Sequence, residues 1–276
     1  MRIVDTHCHL IYRDRLSYPW LSRVPPLQRD FTLAEYLPQA RAAGITDILH
    51  MEVDVAEADL EAEARFAAGL GQGVIGTIAG CRPEAAGFAA FAERVGAIPG
   101  VKGFRRILHT QPDDLSRAPI FAENIRRLSG TGLTFDICVF PHQHQIAIDL
   151  VRACPDVQFV LDHCGNPKLK GDDLAVWRAG ITAAAALPNL ACKFSGIVTN
   201  APSGGWTLDH LRPAAEHIIA SFGWNRVVWG SDWPVLTLNG DLGGWLAAAR
   251  ALLADASADE QAAVFGGNAL RIYRLG

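Results

Sequence analysis

Two histidines close the first apolar stretch of the chain, IVDTHCHL at residues 3–10. Because side chains of an extended strand alternate between its two faces, His7 and His9 point the same way and Cys8 points the opposite way. Two imidazoles on one face can ligate one metal ion, or can both polarise one substrate oxygen. The alternative is a structural role in packing, and the other polar residues must decide between these readings.

Further ionisable side chains end other apolar stretches. Arg105 and Arg106 close the fourth, His163 closes the sixth and Asp232 closes the eighth. Ionisable groups cost free energy to bury, so their repeated placement at these ends indicates a shared site. Alternation of faces favours Arg105 over Arg106 as the inward residue, where a guanidinium indicates an anionic or hydroxyl-rich substrate.

The neighbouring polar residues are assigned smaller roles. Alternation predicts that Asp162 faces away from the site and braces a loop or caps the next helix. His142 and His144 begin a helical pattern and are predicted to face solvent. The further candidates for substrate contact are His109, Trp233 and Tyr18.

Eight β-rich stretches that alternate with eight amphipathic ones must position these side chains. The predicted strands are residues 2–7, 47–53, 73–79, 101–107, 134–139, 158–163, 190–195 and 227–232. The predicted helices are residues 33–43, 57–70, 84–97, 119–129, 142–153, 172–187, 208–222 and 241–254. This alternation favours a (β/α)₈ barrel, whose chemistry lies at the carboxyl ends of the strands. An open doubly wound sheet is the competing architecture, but DTHCHLIYRD is not the Gly-rich phosphate loop it requires.

Composition limits the classes of function. The chain has 276 residues and a net charge of −4, without a basic stripe, which argues against a nucleic-acid partner. Its six cysteines form no C-x-x-C pair and are predicted to be reduced thiols. The start RIVDTH has no leader pattern, and no apolar stretch is long enough to span a membrane. We therefore expect a cytoplasmic protein that does not bind membranes.

The motifs DTHCHL, KGFRRIL, FVLDHCGNP, CKFSGIVTNA and VVWGSDWPV, in this order, resemble those of the amidohydrolase superfamily. The resemblance is to the branch of sugar-acid lactonases and 2-pyrone-4,6-dicarboxylate lactonase. It implies one distorted (β/α)₈ (TIM) barrel domain over residues 1–276 and hydrolysis of a lactone or related ester. By motif, His7 and His9 match the first-strand pair, His163 the later histidine and Asp232 the eighth-strand aspartate.

Two departures from the superfamily pattern bear on the metal. Dinuclear members bridge their metals with a carboxylated lysine or a glutamate at the end of the fourth strand. Here that end reads FRRILHT, and Lys102 lies near the strand's start. The fifth strand, TFDICVFPHQ, has no ligand histidine at its tip. The resemblance thus leaves one divalent metal, with zinc favoured, or none.

A zinc ion would be held by His7, His9 and His163, with Asp232 as a fourth ligand or just beyond bonding distance. Without metal, the imidazoles would polarise the carbonyl oxygen, as an oxyanion hole does. In both versions His163 and Asp232 are catalytic, and Asp232 is the general base.

Three other functions remain open at this point. A decarboxylase could use the same barrel and residues, and a TatD-like nuclease also begins with D-T-H-C-H. The third is a binding barrel without activity. A lactonase acting on a small lactone or carboxylated ring is the favoured prediction, and the oligomeric state is not predicted.

Overall fold

A computed structural model describes residues 1–171 and 173–276. Eight parallel strands form one sheet whose order follows the chain from β1 to β8. The strands are β1 Val4–Cys8, β2 Asp47–Met51, β3 Val74–Gly80, β4 Val101–Ile107, β5 Thr134–Cys138, β6 Gln158–Leu161, β7 Leu190–Phe194 and β8 Val227–Trp229. The predicted (β/α)₈ barrel is confirmed.

Within the described residues, one α-helix follows each strand, and two short α-helices come after the eighth of these. They are α1 Leu33–Ala43, α2 Leu60–Ala68, α3 Phe88–Gly96, α4 Pro119–Arg126, α5 His144–Ala153, α6 Ala175–Ala185, α7 Leu208–Phe222, α8 Leu242–Leu252, α9 Ala258–Ala262 and α10 Asn268–Ile272. The bounds of α1 match the prediction because Thr32 caps its first turn and Gly44, at φ 80°, ends it. Residue 172, where the sixth helix was predicted to begin, lies outside the described residues.

The segment after β8 closes the barrel against β1. The Asp232 amide donates a hydrogen bond to the His7 carbonyl (2.8 Å), and the His9 amide donates to the Trp233 carbonyl (2.7 Å). The Ser231 amide donates to the Asp5 carboxylate at 2.8 Å. The backbone contacts that close the sheet therefore also set the separation of four predicted site residues, His7, His9, Asp232 and Trp233.

The interior of the barrel is apolar toward its amino-terminal end. Side chains of several strands meet Ala269, Ile272 and Tyr273 of the C-terminal segment there. Each fully buried large apolar side chain contributes roughly 1.5–3 kcal/mol to folding. The C-terminal segment therefore fills the end of the barrel opposite the predicted site.

All six cysteines are free and buried in this fold. Their thiols contribute to packing and make no disulfides. Over residues 1–171 and 173–276, no helix has the length and apolar character needed to cross a membrane.

Candidate active site

A cavity of about 330 Å³ opens at the carboxyl ends of the strands. Five of the predicted site residues line it, and they come from the ends of four strands, β1, β4, β6 and β8: His9, Arg105, His109, His163 and Asp232. His7 lies directly beneath this surface and is fully buried. The barrel thus gathers the strand-end residues into one concave site.

Three imidazole nitrogens converge on one carboxylate oxygen. Asp232 Oδ1 is 3.8 Å from His7 Nε2 and 3.6 Å from His9 Nε2. It is 4.0 Å from His163 Nε2. These separations exceed hydrogen-bond length. They suit donor atoms that bind one metal ion, because two donors each roughly 2.0–2.2 Å from a zinc ion lie less than about 4.4 Å apart.

Left-handed backbone turns aim two of these side chains. β6 ends at Leu161, and His163 follows at φ 53°, while Asp232 follows β8 at φ 63°. Non-glycine residues rarely adopt this conformation, and it persists where surrounding structure imposes it. Both residues lie beyond their strands, so alternation along the strand does not decide where their side chains point.

This turn overturns the expectation for Asp162. Its carboxylate faces the barrel interior, completely buried, with Oδ1 3.4 Å from His7 Nδ1 and Oδ2 3.3 Å from Arg105 Nη1. The prediction assumed that strand alternation continued to Asp162 and His163, whereas the strand ends one residue earlier. Asp162 therefore braces the site from below.

His9 shows which nitrogen is available to a ligand. Its Nδ1 lies 3.1 Å from the Met51 carbonyl oxygen and 3.0 Å from that of Glu52. Because carbonyl oxygens only accept, Nδ1 carries the hydrogen, and in the neutral ring Nε2 presents a lone pair to the site. Such a nitrogen can bind a metal but has no hydrogen to give a carbonyl oxygen.

The charge balance around the imidazoles also suits a cation. Four buried carboxylates meet two buried cations here: Glu52, Asp136, Asp162 and Asp232 against Arg105 and Lys193. Burial raises the pKa of Asp136, while the Lys193 ammonium, 2.7 Å away, favours the ionised carboxylate. Burial lowers the pKa of His7 well below its usual value, which keeps that ring neutral. The donor set and the excess negative charge together fit one divalent metal ion.

Arg105 lies at the bottom of the cavity, but its guanidinium is held by the protein. Nε is 2.6 Å from Glu52 Oε1, and Nη2 donates to the Glu52 carbonyl at 2.8 Å. Nη1 lies 3.2 Å from His7 Nε2. The side chain is only 3% exposed. Arg105 could therefore contact a substrate only through the small part of its side chain that Glu52 and His7 leave exposed.

Two of the predicted substrate-binding residues lie away from the lining of this cavity. Trp233 is buried in the hydrophobic core, with its ring 5.5 Å from that of Phe31 and 5.2 Å from that of Tyr36. Tyr18 uses its hydroxyl to accept a hydrogen bond from the Tyr12 amide. Both residues follow site-like motifs in sequence, but their side chains support the loops around the site.

The two helix-start histidines differ from each other. His142 is exposed, as predicted. His144 is buried, and its Nε2 donates to the Gly165 carbonyl at 2.8 Å, so the solvent-facing prediction was wrong for this residue. The bond secures the backbone just after His163.

A buried ionic network beneath the site was missed. Lys193 Nζ lies 2.7 Å from Asp136 Oδ2 and 3.0 Å from Asp162 Oδ1. The Tyr273 hydroxyl donates to Asp136 Oδ2 at 2.9 Å. The available signal was a charged residue in the middle of an apolar strand, in TFDICV and LACKFS, since such a group requires a buried partner.

Gly196 tests the placement of His163. It has φ +68°, and a Cβ there would lie 2.5 Å from His163 Nδ1. We expect Gly196→Ala to displace the imidazole and lower kcat/KM by roughly tenfold or more. Gly204→Ala is the matched control, since Gly204 has φ +76° and open space around it, so it carries the same backbone cost of about 1–2 kcal/mol without the clash. Equal kcat/KM values for Gly196→Ala and Gly204→Ala would contradict the expected displacement of the His163 imidazole.

The family model described as Amidohydrolase matches residues 4–275 of the chain. The chain belongs to this family. The amidohydrolase is 31% identical over 309 aligned residues to an L-fucono-1,5-lactonase of Burkholderia multivorans, covering 99% of this chain and 96% of the relative.

Two solved structures have a similar fold. An amidohydrolase of Burkholderia multivorans, crystallised with bound zinc, superimposes with a TM-score of 0.91 at 27% identity over 100% of both chains. The 5-carboxyvanillate decarboxylase of Sphingomonas paucimobilis has a TM-score of 0.71 at 17% identity, covering 100% of this chain and 99% of that one. The latter likeness bears on the fold alone.

Proposed function

We propose that this amidohydrolase is a lactonase that opens a neutral, hydroxylated sugar-acid lactone by attack of water on the carbonyl carbon. The convergence of three imidazole nitrogens on Asp232 at the cavity carries the proposal. The likeness to an L-fucono-1,5-lactonase over nearly the whole chain supports the ester-hydrolase class.

We assign zinc as the metal, held by His7, His9, His163 and Asp232. The bound zinc of the similar Burkholderia amidohydrolase supports this choice. When bound, zinc would supply a Lewis acid able to polarise an acyl oxygen and to make a nearby water more acidic. The lone pair on His9 Nε2 favours this version over metal-free polarisation, which needs a hydrogen on that nitrogen.

Asp232 moves the proton. Its carboxylate takes a proton from the attacking water as the water oxygen bonds to the carbonyl carbon. The bond between that carbon and the ring oxygen then breaks, and Asp232 returns the proton to the departing oxygen. The 2.8 Å hydrogen bond from the Asp232 amide to the His7 carbonyl holds the base beside the imidazoles.

The charges of the cavity favour a neutral substrate. Among its described lining residues, Arg105 is the only arginine or lysine, and its guanidinium is paired with Glu52. Asp54 and Asp232 place carboxylates on the same surface. An added substrate carboxylate would meet repulsion from Asp54 there without an unpaired arginine or lysine to offset it.

Uncharged polar groups also line the cavity. Asn166, Thr199 and Asn200 belong to it, and the buried Thr199 Oγ1 has no hydrogen-bond partner within the described part of the chain. A buried hydroxyl without a partner costs free energy, which a ligand hydroxyl would recover. These groups suit the hydroxyls of a sugar-acid lactone.

A lactone panel with a pH indicator tests the proposal. We expect acid release from neutral aldonolactones, with kcat/KM at least about tenfold above that for a dicarboxylate lactone. Chelator treatment should abolish turnover, and added zinc should restore it. Release of CO₂ from a carboxylated substrate, without lactone hydrolysis, would instead identify a decarboxylase.

A further inference from the structure

One nitrogen of the candidate metal site already has a cationic partner. Arg105 Nη1 lies 3.2 Å from His7 Nε2, the nitrogen that faces Asp232 Oδ1 at 3.8 Å. A guanidinium only donates, so His7 Nε2 must be the acceptor and its remaining hydrogen lies on Nδ1, toward Asp162. An imidazole nitrogen has a single lone pair. It can accept this hydrogen bond or ligate a metal, but it cannot do both at once.

The guanidinium is not free to leave. Glu52 contacts Nε at 2.6 Å and Asp162 contacts Nη1 at 3.3 Å, and all three side chains are buried. A large displacement of Arg105 would strand the Glu52 carboxylate in the interior, which is costly. Arg105 therefore keeps a positive charge beside the position that a divalent cation would occupy.

We infer that Arg105 competes with the divalent metal for His7 Nε2 and so weakens metal binding at this site. The inference deepens the proposed function, because it rests on the metal site assigned there. Metal binding breaks the hydrogen bond from Arg105 to His7 and brings two like charges together. His7 Nε2 carries no proton in either state, so the exchange requires no proton loss from this ring.

The competition explains why a buried arginine meets an imidazole here. In the metal-free protein the guanidinium satisfies the His7 lone pair and offsets the carboxylates around it. With metal bound, the same guanidinium opposes the ion, and Glu52 and Asp162 retain it. The site thereby remains ordered in both states, at the cost of affinity.

Arg105→Lys tests the inference. Lysine keeps the charge near Glu52, but it is shorter and lacks the forked nitrogens, so the contact with His7 is lost. We expect the zinc dissociation constant, measured on the full chain by competition with a fluorescent chelator, to fall about tenfold or more. Arg106→Lys is the matched control: Arg106 is adjacent on β4 but pairs with Glu84 at 2.6 Å, and zinc affinity should stay within about twofold of wild type.

Equal zinc affinity in wild type and Arg105→Lys would overturn the inference, as would no measurable zinc binding by either protein. Lactone turnover is assayed separately. Tighter zinc binding by the variant without lactone hydrolysis in wild type would refute the proposed function and leave the competition supported.

A crystal structure of the zinc-loaded wild type provides a test if Arg105→Lys fails to fold. We expect Arg105 Nη1 to lie beyond hydrogen-bond distance from His7 Nε2, with His7 bound to zinc. Zinc held by His9, His163 and Asp232 while Arg105 still donates to His7 would overturn the inference.

Discussion

Asp232→Asn is expected to lower kcat by about 10²-fold or more while leaving the fold intact. Asparagine has nearly the shape of aspartate but cannot accept the proton of the attacking water. Asparagine also tolerates the left-handed backbone that Asp232 adopts at φ 63°. Its backbone amide can still donate a hydrogen bond to the His7 carbonyl. Steady-state kinetics on the best lactone, together with circular dichroism, measure both parts of the expectation.

Asp54→Asn is the matched control for this variant. Asp54 also lines the cavity and also has a positive φ, of 47°, but its carboxylate faces Arg82 at 3.7 Å and is not adjacent to the imidazoles. Its kcat should stay within about tenfold of wild type. The zinc content of both variants must also be measured, so that loss of the general base can be distinguished from loss of the metal. Near-normal turnover of Asp232→Asn would remove the general-base assignment.

Lys193→Met is expected to lower the free energy of unfolding by about 3–5 kcal/mol. Lys193 is fully buried between Asp136 and Asp162, at 2.7 and 3.0 Å. Burial lowers the pKa of Lys193, but the two carboxylates raise it by more. The residue is therefore charged in the folded protein. Removing the ammonium leaves both carboxylates without their main partner in the interior. Urea denaturation followed by tryptophan fluorescence measures the change.

Lys102→Met provides the comparison for this prediction. Lys102 lies on β4 toward the opposite end of the barrel, where it donates to the Arg274 carbonyl at 3.1 Å near the surface. Its removal should change stability by less than about 0.5 kcal/mol. The double variant Asp136→Asn with Lys193→Met should recover part of the loss, because one unpaired charge is gone. An unchanged urea midpoint for Lys193→Met would show that the network contributes little.

The main features of the site followed from local patterns. His7 and His9 share a strand face, so their spacing alone places both imidazoles on one side. His163 and Asp232 end apolar stretches of the same alternating series, and parallel strands of a barrel present those ends at one face. The structure brings these four residues together.

Local sequence patterns did not predict how the residues around these four are oriented. Asp162 was placed on the wrong side because the turn after Leu161 interrupts the alternation. Trp233 and Tyr18 lie beside or between motif residues in sequence but pack into the surrounding structure. Proximity along the chain does not specify which way a loop side chain turns.

The sequence by itself determined the barrel and the identity of the converging imidazoles and carboxylate, because both depend on short-range periodicity and on the topology that it implies. Only the tertiary structure decided that Arg105 contacts His7 and that Lys193 joins Asp136 to Asp162. These contacts connect strands far apart in the chain. They form only when the sheet closes and excludes water, which obliges each buried charge to find its partner across the interior.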